Sequence, residues 1–236
     1  MNIPASATDA VVEAANDADD QTSISPFGCK SAGRPRAADK EARQQALLHT
    51  AAILFLEKGY SKVSLEMIAR EAHVAVRTIY VKFGGKAGLL NAVITTGRAR
   101  FFAGMSDMET DPRPLREVLD DFGLRFLEMV SAPAFVSLHR MIVAEAQTTP
   151  ELAQTFYQAG PQRTREDLMR FFARPDIGAQ LRSEVSLETM AVLLTNCLVG
   201  DSMSRMLFPS SDVPDEAELR SRAQQGVQMF LNGVLR

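Results

Sequence analysis

From Asp39 onward apolar residues return every third or fourth position, and no long run alternates as a half-buried strand would require. That period is the strongest constraint on the fold, because residues three and four apart share one face of an α-helix. Leu47, Ala51, Leu54 and Phe55 form the first such face, and Gly59 supplies a stop. Ser64 stands as an N-cap before LEMIAREA, a short helix with Leu65, Ile68 and Ala69 on one side. A second short helix, over 75–82, follows AHV and ends at Gly84 and Gly85. A longer helix over 86–102 turns Leu89, Leu90, Val93 and Ile94 inward. The DPRP run at 111–114 cannot continue a helix and marks a boundary. Beyond it the period places helices at 115–130, 134–147, 151–159, 162–173, 187–207 and 215–235.

The expected fold is therefore all-α. A three-helix unit with a helix-turn-helix occupies 39–85, a connecting helix runs through 86–110, and a larger helical bundle fills 111–236. Residues 1–38 are rich in Ala, Asp and Ser with little apolar bulk, so they read as a flexible tail.

Charge divides the chain in the same places. Residues 1–29 hold five acidic and no basic side chains; 30–100 hold thirteen basic and five acidic; 101–236 hold thirteen basic and nineteen acidic. A basic block inside a chain of net charge −3 is the footprint of a polyanion partner. The competing reading is a solvated face with no partner. The two cysteines, Cys29 and Cys197, offer no disulfide framework, which agrees with a reducing cytoplasm. The N-terminus is acidic where a secretory signal is basic, and no apolar run reaches the length of a membrane span, so the protein is expected to be soluble and free of membrane partners.

The stretch HVAVRTIYVKFGGK, from His73 to Lys86, carries the chemistry. Val74, Ile79 and Phe83 repeat at helical spacing and should face the core, leaving Val76, Arg77, Thr78, Tyr80, Val81 and Lys82 toward solvent, at least in part. An α-helix fits the major groove of B-form DNA. Arg can grip guanine with two hydrogen bonds, Thr can meet a thymine methyl or a phosphate, and Tyr and Lys suit phosphate oxygens. Lys86 opens the next helix, where free amides and the helix dipole favour an anion.

The segment ALLHTAAILFLEKGYSKVSLEMIAREAHVAVRTIYVKFGGKAGLL resembles the N-terminal domain of the TetR/AcrR family of transcriptional regulators over roughly residues 44–93. The resemblance implies a homodimer that binds a near-palindromic operator on double-stranded DNA through its N-terminal domains and a small effector through its C-terminal ones. It implies that Ser64 holds a phosphate, that Val76, Arg77 and Thr78 read bases, that Tyr80 and Lys82 flank them, and that Lys86 binds phosphate. Two positions depart from the family pattern: His73 stands where Gly is usual, and Ala75 where a Ser cap is usual. Each departure costs about 1 kcal/mol. Upstream, AGRPRAADK carries Arg34 and Arg36, similar to the arms that enter the minor groove in many family members and in AT-hook peptides; the alternative is a solvated linker.

The segment FVSLHRMIVAEAQTTPELAQTFYQAGP resembles the C-terminal domain of the AefR-like subgroup. Phe122, Phe126 and further Phe and Met residues read either as core or as the walls of a cavity for an apolar effector. His139, Tyr157, Asn196 and Cys197 are its candidate polar contacts. Leu219, Ala223, Val227, Phe230 and Val234 form an apolar seam, and Ala191, Thr195 and Gly200 are small residues that allow close approach. Two such helices from each of two subunits would build a four-helix interface, although a monomer could bury the same seam.

Rival functions find less support. His49, His73 and His139 have no ligand spacing, the cysteines make no metal motif, and no phosphate loop, nucleophile elbow or carboxylate pair is present. The chain is thus expected to be neither an enzyme nor a cofactor protein. A small helical enzyme, or a redox sensor using Cys197, is the alternative.

Overall fold

The computed structural model describes residues 37–208 and 214–236. Arg34, Arg36 and most of the expected tail lie outside them. Helix α1 spans Ala37–Lys58, α2 Leu65–Glu71, α3 Val76–Phe83 and α4 Lys86–Phe101. After a linker come α5 (Leu115–Ser131), α6 (Pro133–Glu145) and α7 (Pro150–Tyr157), a π-helical turn (Gln158–Gln162), α8 (Arg163–Phe172) and the short α9 (Pro175–Gly178). The described chain ends with α10 (Leu187–Val199), α11 (Ser202–Met206) and α12 (Glu216–Val234). Among the described residues the one β feature is an isolated bridge between Leu181 and Leu235.

Two cores hold these helices. The first gathers Leu47, Ala51, Leu54 and Phe55 of α1, Leu65, Ile68 and Ala69 of α2, Ile79 of α3, and Leu89, Leu90 and Ile94 of α4. Ile142, Leu152, Phe156 and Ala159 complete it, so α6, α7 and the π turn form the floor of the N-terminal unit. The second core joins α5, α8, α10 and α12 through Phe122, Phe126, Phe171, Phe172, Leu194, Val227 and Phe230. Each such side chain removed from water contributes about 1.5–3 kcal/mol.

Three sequence expectations are corrected. The helix expected over 187–207 stops at Val199, because Gly200 takes φ 53° and turns the chain before α11. Gly160 and Pro161 do not separate α7 from α8; the chain passes between them in the π turn, with Pro161 inside it. The seam Leu219, Ala223, Val227, Phe230 and Val234 is buried within the single chain. The residue that lets α10 and α12 approach is Gly226, whose added Cβ would stand 2.8 Å from the Cys197 carbonyl oxygen. Thr195, by contrast, returns its hydroxyl to the Ala191 and Val192 carbonyls of its own helix.

Guanidinium groups hold the linker from α4 to α5. Arg125 Nη1 donates to the carbonyls of Phe101 and Ala103 at 3.3 and 3.0 Å, and Arg174 Nη1 to those of Met108 and Asp111 at 2.7 and 2.8 Å. The buried Asp111 carboxylate accepts the Arg113 amide at 3.0 Å and its side-chain Nη2 at 2.7 Å. Among the described residues no single helix is long and apolar enough to cross a membrane.

Candidate nucleic-acid interface

Helix α2 begins where the sequence indicates, with Ser64 Oγ accepting the Met67 amide at 3.2 Å. It ends in a tight reversal. His73 sits at φ 51°, its amide donates to the Arg70 carbonyl at 3.3 Å, and the Val74 amide donates to the Ala69 carbonyl at 2.9 Å. This is the Schellman arrangement, with His73 in the left-handed position that usually calls for Gly. The next helix starts at Ala75 with no side-chain cap, so packing rather than capping holds α3.

That packing fixes what α3 presents. Ile79 is fully buried, and Val74, Val76 and Phe83 pack partly against the same core. Arg77 and Lys82 are exposed, as are Tyr80 (54 %) and Val81 (76 %). Thr78 is half-buried, its amide bonded to the Ala75 carbonyl at 2.8 Å. Of the six residues read as facing solvent, four therefore project freely, while Val76 and Thr78 lie at the edge of the core.

Gly84 ends α3 at φ 75°, and Gly88 decides how α4 leaves it. A Cβ on Gly88 would lie 1.7 Å from the Phe83 carbonyl oxygen, so the recognition helix can abut α4 only because that position lacks a side chain. Sequence reasoning passed over Gly88, since a glycine inside a helical pattern carries no local sign of its neighbour.

Lys86, the first residue of α4, is half-buried, and its ammonium stands 4.2 Å from the centre of the Tyr60 ring. Desolvation lowers its pKa, while the charges of Glu145 and Glu151 act in the opposite sense. Burial, aided by Glu151, pushes the Tyr60 phenol up to about 12. Ser64 is exposed beside Glu66, whose carboxyl is held low by its own amide and by the Ser64 hydroxyl.

The residues read as effector contacts fall in separate places. Phe122 and Phe126 stack at 5.6 Å inside the second core. His139 lies between Phe135 and Phe156, with ring centres 6.4 and 5.7 Å away, and its buried Nδ1 has no hydrogen-bond partner among the described residues. Burial lowers its pKa, which favours the neutral imidazole. Tyr157 is exposed and accepts from Arg165 Nη1 at 3.1 Å. Asn196 is exposed on α10, and burial pushes the neighbouring Cys197 thiol up, away from the reactive thiolate.

A short helix seated by Ile79 and offering Arg77, Tyr80 and Lys82 to solvent, behind a capped helix and a Schellman turn, defines a helix-turn-helix DNA-binding protein. Residues 47–93 match the family model for bacterial regulatory proteins of the tetR family, and residues 117–233 that for the AefR-like transcriptional repressor C-terminal domain. The chain belongs to the TetR family of transcriptional regulators, a family of regulators rather than enzymes.

Solved structures agree in fold. A TetR-family transcriptional regulator of Mesorhizobium loti is 22 % identical with a TM-score of 0.67, over 86 % of this chain and 100 % of that one. The flavonoid-responsive regulator FrrA is 25 % identical with a TM-score of 0.64, over 83 % and 98 %. NalD of Pseudomonas aeruginosa, secondary repressor of the MexAB-OprM multidrug efflux pump, is 23 % identical with a TM-score of 0.56, over 84 % and 98 %. Among the curated proteins none matches.

Proposed function

We propose that this regulator is a ligand-responsive repressor that acts in the cytoplasm, binding a near-palindromic operator as a homodimer and leaving it when a small apolar effector binds. The observation that carries the reading is the division of α3 into a buried Ile79 and an exposed Arg77, Tyr80 and Lys82. Arg77 and Thr78, with Val76 at the core edge, read base edges. Tyr80, Lys82, Ser64 and Lys86 meet phosphates, and Arg34 and Arg36 follow the minor groove. The working units are the DNA-binding unit 39–85, the connecting helix 86–110 and the effector and dimer unit 111–236.

With the apolar seam buried, the pairing face is the outer side of α10 and α12. Leu193 there is 41 % exposed and Met229 68 %, among exposed Asn196, Gln225 and Gln228. The effector class is supported by the aromatic setting of His139, where an apolar molecule with one polar group would satisfy the free Nδ1. FrrA, one of the structures similar in fold, is named as a flavonoid-responsive regulator. The other residues read as contacts, Phe122, Phe126, Tyr157, Asn196 and Cys197, lie apart from this setting, so the effector reading rests on His139 and its aromatic neighbours. Effector binding shifts α4 and with it the spacing of the two recognition helices, which must match one DNA turn of about 34–36 Å.

Selection of bound duplexes from random oligonucleotides tests this, together with light scattering of the free protein. A palindrome and a dimer mass are expected. Recovery of no common sequence would overturn the operator reading, and a monomer with intact operator binding would overturn the dimer.

A further inference from the structure

The turn that joins α1 to α2 receives a carboxylate from the end of α6, 84 residues away in sequence. Glu145, the last residue of α6, accepts the Ser61 amide at 2.8 Å and the Ser61 hydroxyl at 2.5 Å. Thr149, just after α6, places its hydroxyl 3.2 Å from that of Ser61. The room is made by Gly59 at φ 84°, since a Cβ there would stand 2.6 Å from Glu145 Oε1. Burial opposes ionisation of Glu145, yet the hydrogen bonds from Ser61 and Tyr60 and the charge of Lys86 hold its carboxyl below the usual range. The end of α6 is closed without this contact, because the Glu145 carbonyl accepts the amides of Thr148 and Thr149 at 3.1 and 2.9 Å. The side chain makes its contact with Ser61, 84 residues away in sequence.

We propose that Glu145 is a positioning residue for DNA binding, its carboxylate fixing the angle at which the C-terminal bundle carries α1–α3, in addition to the covalent connection through α4. The proposal rests on the reading of the chain as a dimeric operator-binding regulator. Two recognition helices reach successive major grooves together only at one spacing, so a loosened unit spends less of its time in the competent arrangement and specific affinity falls in proportion. Non-specific binding needs positive charge but no spacing. The contact therefore bears on operator affinity and leaves random DNA unaffected. A carboxylate that merely repelled phosphate from Lys86 would do something else: its removal would tighten both.

The test measures dissociation constants of the full chain for a duplex recovered by selection and for a scrambled duplex of equal length. The variants are Glu145→Ala, Ser61→Ala, their combination, and Ser61→Thr, with thermal melting to confirm that each is folded. Glu145→Ala is expected to weaken operator binding on the order of tenfold, as when the competent fraction falls to a tenth, and Ser61→Ala, which keeps the amide bond, by less. The double variant should lose no more than Glu145→Ala alone, because that change already removes both bonds to Ser61. Ser61→Thr should keep wild-type affinity, and the scrambled duplex should bind all variants alike. Additive losses, equal changes on both duplexes, or tighter binding would overturn the role of Glu145 while leaving the regulator reading intact. Failure to select any duplex would overturn both.

Discussion

The carbonyl oxygen of Phe83 occupies the space that a side chain at Gly88 would need: an ideal Cβ there would lie only 1.7 Å away. The last turn of the recognition helix and the first turn of the connecting helix are thereby locked at one approach. Gly88→Ala should destabilise the protein by about 1–3 kcal/mol through overpacking, and DNA binding should fall with it. Gly97→Ala, on the same helix but with nothing within 4 Å of the added Cβ among the described residues, should instead stabilise by up to about 1 kcal/mol. Urea unfolding of the two variants checks this; equal effects would show that the contact does not constrain α4.

Capping of α3 offers a gain. Ala75 has the extended backbone of an N-cap, φ −73° and ψ 140°, but no side-chain acceptor. Ala75→Ser should add about 1 kcal/mol of stability, read as a rise in melting temperature. At His73, with φ 51°, a β-branched Val should cost more than His does, while Gly should be neutral to mildly stabilising.

Under the proposed function Arg77 and Lys82 should separate by kind of contact. Arg77→Ala should cost about 1–3 kcal/mol against the selected duplex and relax preference at one base position. Lys82→Ala should weaken all duplexes alike and reduce the salt slope by about 1. Anisotropy titrations at several salt concentrations distinguish them, and unchanged sequence preference in Arg77→Ala would remove that residue from base reading.

Acid should loosen the linker through Asp111. The side-chain and backbone hydrogen bonds of Arg113 hold its carboxyl below the ordinary 3.8, despite burial, so the native state binds its proton less readily than the unfolded chain. Its stabilisation is present above pH 3.8 and is lost as pH falls through the lower native value. Asp111→Asn should therefore be less stable than wild type at pH 7, and the gap should close in strong acid. Denaturant midpoints across pH measure it; a gap independent of pH would show that charge plays no part.

Helical period and capping residues were enough to make the helices of the N-terminal unit legible. Leu47, Ala51, Leu54, Phe55, Ile68 and Ile79 all face the core as their spacing requires, Ser64 caps α2, and His73 makes the left-handed turn. Those are local facts, decided within one or two turns of chain. The outward set on α3 was partly legible, because periodicity divides faces but not the edge where Val76 and Thr78 lie.

The apolar stripe of α12 shows the limit of such reading. Leu219, Val227 and Phe230 are apolar whether they meet a partner subunit or their own chain, and the packing of α12 on α5 and α10 chose the second. Gly226 against Cys197 and Glu145 against Ser61 belong to the same class, since each joins surfaces whose meeting no local pattern encodes. By itself the sequence determined which segments are helical and which faces must leave water, because backbone periodicity and apolar burial act on neighbours in the chain. Only the tertiary structure decided which face met which, because close packing and long-range hydrogen bonds depend on where distant segments come to rest.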